Sequence, residues 1–350
     1  QNHVEFALLA YRDNWHDELT QLWKYGHNRS ERACIRDRWL LSLQEQVDQI
    51  GDSSQMIASS EAIHSRIVHH DDITALKNIL SSYFHEIKVV VYIRNPLDVA
   101  VSLWSTGVKC GNYLPDLPTP LDPHYDNACN HQSTVLRWSR VFGSQLEVRL
   151  YRQDQFYGGS LLRDFCHSCD LSWHTEYYIP DTLNQCMSWH SLALLNELNR
   201  RIPLHHPDGS LNLIRPGLTP YIESLYAEAP PFVPSNLQTE QYHAIYSASN
   251  EFVRKSYFPH LQSLFPTPIV SCDSSHITPQ DHCCPTYNSI LTPEEIVLID
   301  VIAAIWYDKA SYKFPHRTKL VYRILKVCRK LTKTIIRRLL GANPYHLINH

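Results

Sequence analysis

An arginine and a serine stand eight residues apart in the stretch KVVVYIRNPLDVAVSLW (88–104). Arg94 ends a β-branched run, after which Asn95 and Pro96 are typical of the cap and first position of a helix. Ser102 would lie about two helical turns further on. A fixed positive charge beside a helix N-terminus suits a phosphate or sulfate group. The pattern predicts an anion site in which the Arg94 guanidinium and the Ser102 hydroxyl meet around one ligand.

A second interpretation of these residues needs no ligand. In it, Arg94 forms an ion pair with a nearby acid such as Asp98, and Ser102 is a surface residue. Arginines are common at strand ends, so the spacing alone does not decide between the two interpretations.

Strand and helix patterns alternate along the first half of the chain. Strands are predicted at 55–61, 87–94 and 146–151, and helices at 4–50, 71–84, after Arg94, at 133–143 and at 158–171. We interpret the proline-rich segment 106–128 as a loop that could act as a lid. Helices follow at 185–201, 237–257 and 292–310. This order predicts an α/β fold with a parallel sheet and right-handed crossovers, in which Arg94 lies at the carboxyl edge.

Charge is distributed unevenly, although the net charge is only −3. Of the 32 basic residues, eleven lie from Lys309 onward, where there is no acidic residue. This leaves 21 basic against 35 acidic residues in the remainder, a net charge of −14. We expect a domain over 1–310 and a basic tail over 311–350. Because no secretory signal or bilayer-spanning run is evident and the ten cysteines are irregularly spaced, we expect a cytoplasmic protein with reduced thiols.

The tail segment 318–341 has apolar residues on one helical face and Lys or Arg on the other. Such a helix suits peripheral contact with an anionic membrane or a partner groove, or it docks on the acidic body of its own domain. The basic residues lack the interleaved aromatic residues of single-strand binders, so we expect no nucleic-acid partner.

The stretch YIRNPLDVAVSLW (92–104) resembles the 3′-phosphate-binding motif of sulfotransferases, which use 3′-phosphoadenosine 5′-phosphosulfate (PAPS). In that family the arginine and the serine of the motif hold the 3′-phosphate, and Arg94 and Ser102 match these positions. The segments 56–65, 135–156, 183–200 and 241–258 resemble further family segments in the same order. The resemblance covers about residues 1–258 and implies a P-loop NTPase-like α/β fold, with PAPS as co-substrate and a carbohydrate or other small hydroxyl or amine compound as acceptor.

One departure from the family pattern concerns the loop that cradles the 5′-phosphosulfate. No Lys-Thr-Gly-Thr-like sequence occurs in the chain, whose start at Gln1 resembles the family segment that follows this loop. We expect the loop and the first strand to have preceded Gln1, and the chain as it stands to be unable to transfer sulfate. The alternatives are a non-catalytic nucleotide-binding or membrane-peripheral scaffold that has lost the loop, and a nucleotide kinase, which would also need it.

Site roles follow from the resemblance. Glu61, at the end of the second predicted strand, is the candidate general base, and His3 and His64 are weaker candidates. Glu61 could equally be a helix-start or ion-pair carboxylate. Tyr151 and Arg152, at the end of the third strand, are expected to approach the adenosine or its phosphate, although packing explains Tyr151 equally well.

The spacing of four cysteines and one histidine is compatible with a zinc site. Cys166 and Cys169, together with the HCC run at 282–284, have spacings that zinc sites use. The first pair, however, falls at core-facing positions of a predicted helix, where cysteine acts as a small apolar residue. We therefore predict no metal cofactor.

Overall fold

The structure is a computed structural model that describes residues 29–49, 55–179, 187–205, 218–225 and 231–266, together with single positions between 212 and 303. The chain divides into two compact units. The first takes its residues from 1–103, 117–183 and 234–283, and the second from 104–116, 184–233 and 284–350. The predicted helix at 292–310, the tail at 318–341, His3 and the HCC run lie largely or wholly outside the described residues.

The described residues form a mixed α/β structure of ten α-helices and two β-strands. In chain order these are α1 (Arg29–Gln49), α2 (Glu61–Arg66), α3 (His70–Ser81), β1 (Val89–Ile93), α4 (Pro96–Lys109), α5 (Pro123–Cys129), α6 (His131–Phe142), β2 (Leu146–Leu150), α7 (Leu161–Ser168), α8 (Trp189–Arg201), α9 (Leu218–Leu225) and α10 (Asn236–Tyr257).

The two strands are neighbours in a small parallel sheet of the first unit. Their register runs from Val89 opposite Leu146 to Ile93 opposite Leu150. The N–H of Tyr151 donates to the carbonyl oxygen of Ile93 at 2.8 Å, which continues the hydrogen bonding past the end of β2. Because both strands run in the same direction, the residues that follow them emerge side by side at the carboxyl edge of the sheet.

Helix α6 supplies one face of the core of the first unit. Val135, Trp138 and Phe142 are buried there, with the rings of Trp138 and Phe142 stacked at a centroid distance of 5.7 Å. Further core residues come from α3, from both strands and from α10: Ile73, Leu76, Ile93, Leu146, Val148, Leu150 and Val253. Helix α6 ends at Gly143, whose φ of +56° is in the region that favours glycine.

A buried carboxylate ties the two strands to α7. Asp164 is 1% exposed and accepts hydrogen bonds from the Arg149 guanidinium of β2, the Tyr92 hydroxyl of β1 at 2.6 Å and the N–H of Tyr157 at 2.7 Å. Burial alone would raise the pKa of Asp164, but these three donors, Arg149 foremost, hold it below its usual value. The carboxylate is therefore ionised and fully hydrogen-bonded where the strands meet the helix.

The second unit is organised around α8. Leu194, Leu195 and Leu198 on this helix are fully buried. The side-chain amide of Asn199 donates to the carbonyl oxygens of Val108 and Asn112, both at 2.8 Å. These two bonds satisfy backbone carbonyls at the end of α4 and in the loop that follows it, so the polar residues of α8 fix the course of residues 104–116.

Several sequence predictions are confirmed. Strands at 89–93 and 146–150 form the parallel pair, and helices lie within the predicted ranges 71–84 (beginning one residue earlier), 133–143 (beginning two residues earlier), 158–171, 185–201 and 237–257 (beginning one residue earlier). Of the helix predicted at 4–50, the structure describes and confirms residues 29–49. The helix after Arg94 begins at Pro96, as its cap pattern predicted. The P-loop NTPase-like version of the fold stays a prediction, because the described sheet has two strands.

Two predictions are wrong in part. Residues 55–60 form no strand with any of the described residues, and Met56 and Ile57 are exposed instead of packed in a core. Segment 106–128 contains the end of α4 and most of α5, so the loop itself is shorter than predicted.

No helix among the described residues combines the length and the apolar content that crossing a bilayer requires. The described residues also hold no cluster of three or more histidine, cysteine, aspartate or glutamate side chains with metal-binding geometry. Cys166 is buried in α7, and Cys169 caps the C-terminus of that helix.

Replacement of the buried carboxylate tests this account of the fold. We expect Asp164→Asn to lower the free energy of unfolding by about 3 kcal/mol, because it leaves the Arg149 charge without its partner. The matched control is Asp170→Asn, which removes a 74% exposed carboxylate that lies 3.0 Å from the Lys88 amine. This change should cost less than about 1 kcal/mol. Urea unfolding measures both variants, and equal effects would show that Asp164 does not tie the strands to α7.

Candidate functional site

Arg94 lies at the carboxyl edge of the sheet, directly before α4. Its Nε is 3.4 Å from the Asp98 carboxylate and 40% of its side chain is exposed, so this ion pair is long and largely solvated. A pair of this kind contributes about 0–1 kcal/mol. Among the described residues, the two terminal nitrogens of Arg94 have no hydrogen-bond partner. The guanidinium therefore presents donors to solvent in the planar arrangement that binds phosphate or carboxylate.

Asn95 fixes the start of the helix beside this guanidinium. Its Oδ1 accepts from the N–H of Leu97 at 3.0 Å, and its carbonyl oxygen accepts from the N–H of Val99 at 3.0 Å. Pro96 brings no N–H to this first turn. The N-terminus of α4, which carries the positive end of the helix dipole, thus directly follows Arg94 in the sequence.

Tyr151 lies next to Arg94 because β1 and β2 end together. The guanidinium carbon of Arg94 is 5.5 Å from the centroid of the Tyr151 ring, within the range of a cation–π contact. The ring is 43% exposed and also meets the edge of Phe156 at a centroid distance of 5.6 Å. The sequence predicted both residues for the site, and the structure brings them together.

A hydrogen bond from His131 fixes the backbone of Arg94. Its Nε2 donates to the Arg94 carbonyl oxygen at 2.6 Å, and the residue is 1% exposed. Burial lowers the pKa of His131 to about 4, against the opposing effect of this hydrogen bond. The ring is therefore neutral near pH 7, with its proton on Nε2. Its Nδ1 is buried and has no partner among the described residues.

A second histidine and an arginine both contact Thr134 of α6. The Nε2 of His64 is 3.4 Å from the Thr134 hydroxyl oxygen, which also accepts from Arg137 at 3.2 Å. Burial, and then the positive charge of Arg137, lower the pKa of His64 to about 4. His64, a weaker base candidate from the sequence, is therefore neutral at pH 7, and its pKa is too low for efficient proton abstraction there.

The other predicted site residues lie apart from Arg94. Ser102 is exposed on α4 and forms no hydrogen bond with Arg94 among the described residues. Glu61 is exposed as the first residue of α2, a helix-start position and not a strand end. For Arg94, Ser102 and Glu61, the geometry matches the ligand-free interpretations of the sequence.

The Arg152 guanidinium is already bound by a carboxylate and by backbone carbonyl oxygens. Its Nε and Nη2 donate to the Asp154 carboxylate, each at 2.6 Å, and its Nη1 donates to the carbonyl oxygens of Ser263 and Leu264 at 3.3 and 2.8 Å. Arg152 thereby fixes the backbone after α10. That backbone lines a cleft of about 250 Å³ together with the start of α4 and one face of α10.

Sequence reasoning missed His131, Thr134 and Arg137. All three lie on α6, where they follow one another at a spacing of three residues and so share one helical face. This polar stripe was visible in the sequence, but the burial of His131 and Thr134 and the contact of His131 with Arg94 depend on packing between elements. Comparisons with protein-family models, curated proteins and solved structures gave no match for this chain.

Buried His131 and half-buried His64 predict a pH dependence of stability. With pKa values near 4 when folded and about 6.5 when unfolded, each binds more protons in the unfolded state between these values. Their contribution, up to about 3 kcal/mol each, is complete above pH 6.5 and is lost as the pH falls toward 4. His64→Gln should therefore make the free energy of unfolding less dependent on pH in this window, by up to one proton.

Urea unfolding of the wild type and of His64→Gln at half-unit steps from pH 4.5 to 7.5 measures the difference. Acidic residues also titrate in this range, but they are common to both proteins and drop out of the comparison. Parallel curves for the two proteins would contradict the burial of a neutral His64.

Proposed function

We propose that this chain binds PAPS, or its product adenosine 3′,5′-bisphosphate, through Arg94 and belongs to a PAPS-dependent sulfotransferase with a P-loop NTPase-like fold. The observation that supports the proposal is the Arg94 guanidinium. It is exposed at the carboxyl edge of a parallel sheet, stacked on Tyr151 and followed at once by a capped helix N-terminus. Two terminal nitrogens are available for one phosphate.

A 3′-phosphate suits this arrangement better than a carboxylate does. A phosphate monoester carries up to two negative charges and three acceptor oxygens, and the adjacent helix dipole adds to the attraction. The Tyr151 ring offers an exposed face on which a sugar or base can pack. The resemblance of YIRNPLDVAVSLW to the family motif supports the same ligand, with Ser102 as the second group on the phosphate.

In the proposed reaction the sulfuryl group moves from PAPS to an acceptor hydroxyl or amine. The S–O bond to the 5′-phosphate breaks, a bond from sulfur to the acceptor atom forms, and the acceptor proton passes to a base. Glu61 is the proposed base on the family resemblance of segment 56–65. Adenosine 3′,5′-bisphosphate leaves as the second product.

A second candidate function is nucleotide binding without transfer. It is favoured by one feature of the sequence: none of the 350 residues forms a Lys-Thr-Gly-Thr-like phosphate loop. Such a chain would bind the nucleotide as a scaffold, through the same Arg94, and would lack the lysine that neutralises the departing phosphate.

Nucleotide binding is tested with adenosine 3′,5′-bisphosphate by titration calorimetry. We expect the wild type to bind, and Arg94→Ala to bind at least tenfold more weakly, because a charge-assisted hydrogen bond to phosphate contributes about 1.5–3 kcal/mol. The matched control is Arg163→Ala. Arg163 is an exposed arginine of α7 that also stacks on a ring, that of Trp173 at 5.4 Å, and its loss should leave the affinity unchanged.

Asp98→Asn provides a change in the opposite direction. It removes the carboxylate that competes for Arg94, so the affinity should rise by about twofold to fivefold. Absence of binding to the wild type, or equal binding by the wild type and Arg94→Ala, would refute the assignment of Arg94 to the phosphate.

Transfer is tested separately with ³⁵S-labelled PAPS and a mixture of hydroxyl and amine compounds. Because the chain as it stands is expected to be unable to transfer sulfate, the assay uses the chain joined to a phosphosulfate loop and its strand. The enzyme proposal expects labelled product from this restored protein and loss of most of it when the restored protein carries Glu61→Gln, with nucleotide affinity retained. Binding without any labelled product would favour the scaffold over the enzyme. Product formed equally by Glu61→Gln would exclude Glu61 as the base.

A further inference from the structure

Residues 118–121 of the first unit lie between two anchored positions, and we call them the strap. Leu117 precedes the strap and is buried. Asp122 follows it, and its carbonyl oxygen accepts from the N–H groups of Tyr125 and Asp126 at 2.9 and 2.8 Å. These bonds fix Asp122 at the start of α5. The strap therefore has fixed ends, and its own conformation is free to be set by other contacts.

The strap turns the chain sharply. The N–H of Asp122 donates to the carbonyl oxygen of Thr119 at 3.2 Å, so residues 119–122 form a β-turn. Pro120 occupies the second position of this turn, and Leu121, with a φ of +69°, occupies the third. This is the pattern of a type II turn, which requires a positive φ at the third position and usually has glycine or asparagine there.

Leucine is an unfavourable residue for that position. At positive φ its Cβ comes close to the following carbonyl oxygen, and a bulky residue in this region is an outlier. The Leu121 side chain is 56% exposed, so packing offsets little of the strain. Among the described residues other than glycine, Asp170 alone shares the region, with a φ of +54°. Aspartate tolerates the region better because its side chain is short and polar.

Two buried tyrosines of α10 hold the strap in this strained conformation. The Tyr242 hydroxyl donates to the carbonyl oxygen of Pro118 at 2.7 Å, and the Tyr246 hydroxyl oxygen accepts from the N–H of Leu121 at 3.2 Å. The Tyr246 hydroxyl in turn donates to the Asp126 carboxylate at 3.1 Å. Because both tyrosines lie within a helix of 22 residues, the strap is the part that can move.

The contributions that hold and oppose this conformation are similar in size. A leucine at positive φ costs about as much as one or two hydrogen bonds contribute in water. Segments with such a balance open locally, at free energies well below that of global unfolding. The strap therefore has the energetics of an element with two populated conformations.

Tyr242 connects the strap to the cleft of about 250 Å³ described above. Its side chain lines the cleft, and its hydroxyl bonds the strap. Opening of the strap removes the acceptor of this hydroxyl at the cleft wall. Another part of the wall begins at Asn95, directly after Arg94.

We propose that the strap is a two-state element of the first unit. It closes on Tyr242 and Tyr246, as in this structure, and it opens by release of the positive φ at Leu121 while the core stays folded. Opening frees the Tyr242 hydroxyl at the wall of the cleft. The proposal concerns a movement of the chain and is independent of nucleotide binding and of sulfate transfer.

Hydrogen exchange of the whole chain without ligand, resolved to single amides by mass spectrometry, tests this movement. The reporter is the Asp122 amide, which donates to Thr119 in the closed strap. We expect its protection factor to be at least about tenfold below those of amides in the middle of α6, because the strap opens without the core. Equal protection factors, or an Asp122 amide without protection, would overturn the proposal.

Substitutions at Leu121 test the role of strain. Glycine and asparagine adopt positive φ readily, so Leu121→Gly and Leu121→Asn should favour the closed strap. We expect each to raise the protection factor of the Asp122 amide about threefold to tenfold, after correction for its intrinsic exchange rate. The matched control Leu121→Ala keeps a Cβ at positive φ and should stay within about twofold of the wild type. No rise with glycine and asparagine, or an equal rise with alanine, would overturn the proposal.

Removal of a tyrosine hydroxyl should have the opposite effect. Tyr242→Phe loses the bond to Pro118 and should lower the protection factor of the Asp122 amide about threefold to tenfold. The matched control Tyr177→Phe removes an exposed hydroxyl that donates to the carbonyl oxygen of Ser172 at 3.1 Å, and it should have no effect. Unchanged protection in Tyr242→Phe would contradict the hold of α10 on the strap. Should Tyr242→Phe fail to fold, Tyr246→Phe replaces it, with the same expected direction and the same contradicting outcome.

Discussion

The carboxylate of Asp164 is the point on which the arrangement of the first unit depends. It accepts from Tyr92 on β1 and from Arg149 on β2, so it joins the two strands to each other and both of them to α7. A carboxylate buried in this way is stable only with charged and polar donors around it, and those donors fix the side chains on which they lie. With the two strands held in parallel, Arg94 and Tyr151 must emerge together at one edge.

Local signals in the sequence were sufficient for most of the elements. Asn95 and Pro96 marked the start of α4, and Gly143 marked the end of α6, because caps and positive-φ stops depend only on nearby residues. The segment 55–60 shows the limit of such signals. Its apolar residues resemble a strand, but a strand requires a hydrogen-bonded neighbour, and sequence pattern does not show whether one exists.

The residues of the candidate site, like the helices and strands, could be predicted from the sequence only in part. Adjacency of Arg94 and Tyr151 could be predicted, since it follows from parallel strands and a shared edge. The contact of buried His131 with the Arg94 backbone could not be predicted, because a histidine in a helix shows no sign of burial until the packing of α6 is known. Arg152 was predicted at the site because it follows the end of the third strand, yet its partners are Asp154 and the backbone after α10.

The hydrogen bond from His131 to the Arg94 carbonyl oxygen fixes the backbone of Arg94 independently of the Arg94 side chain. The neighbouring carbonyl of Ile93 is also bonded, to the N–H of Tyr151. With the main chain already ordered, an anion that binds Arg94 restricts only side-chain torsions, an entropic penalty of at most about 2 kcal/mol. Recognition at this edge is therefore preorganised, and a change of side chain at position 94 alters ligand affinity without requiring the strand end to rearrange.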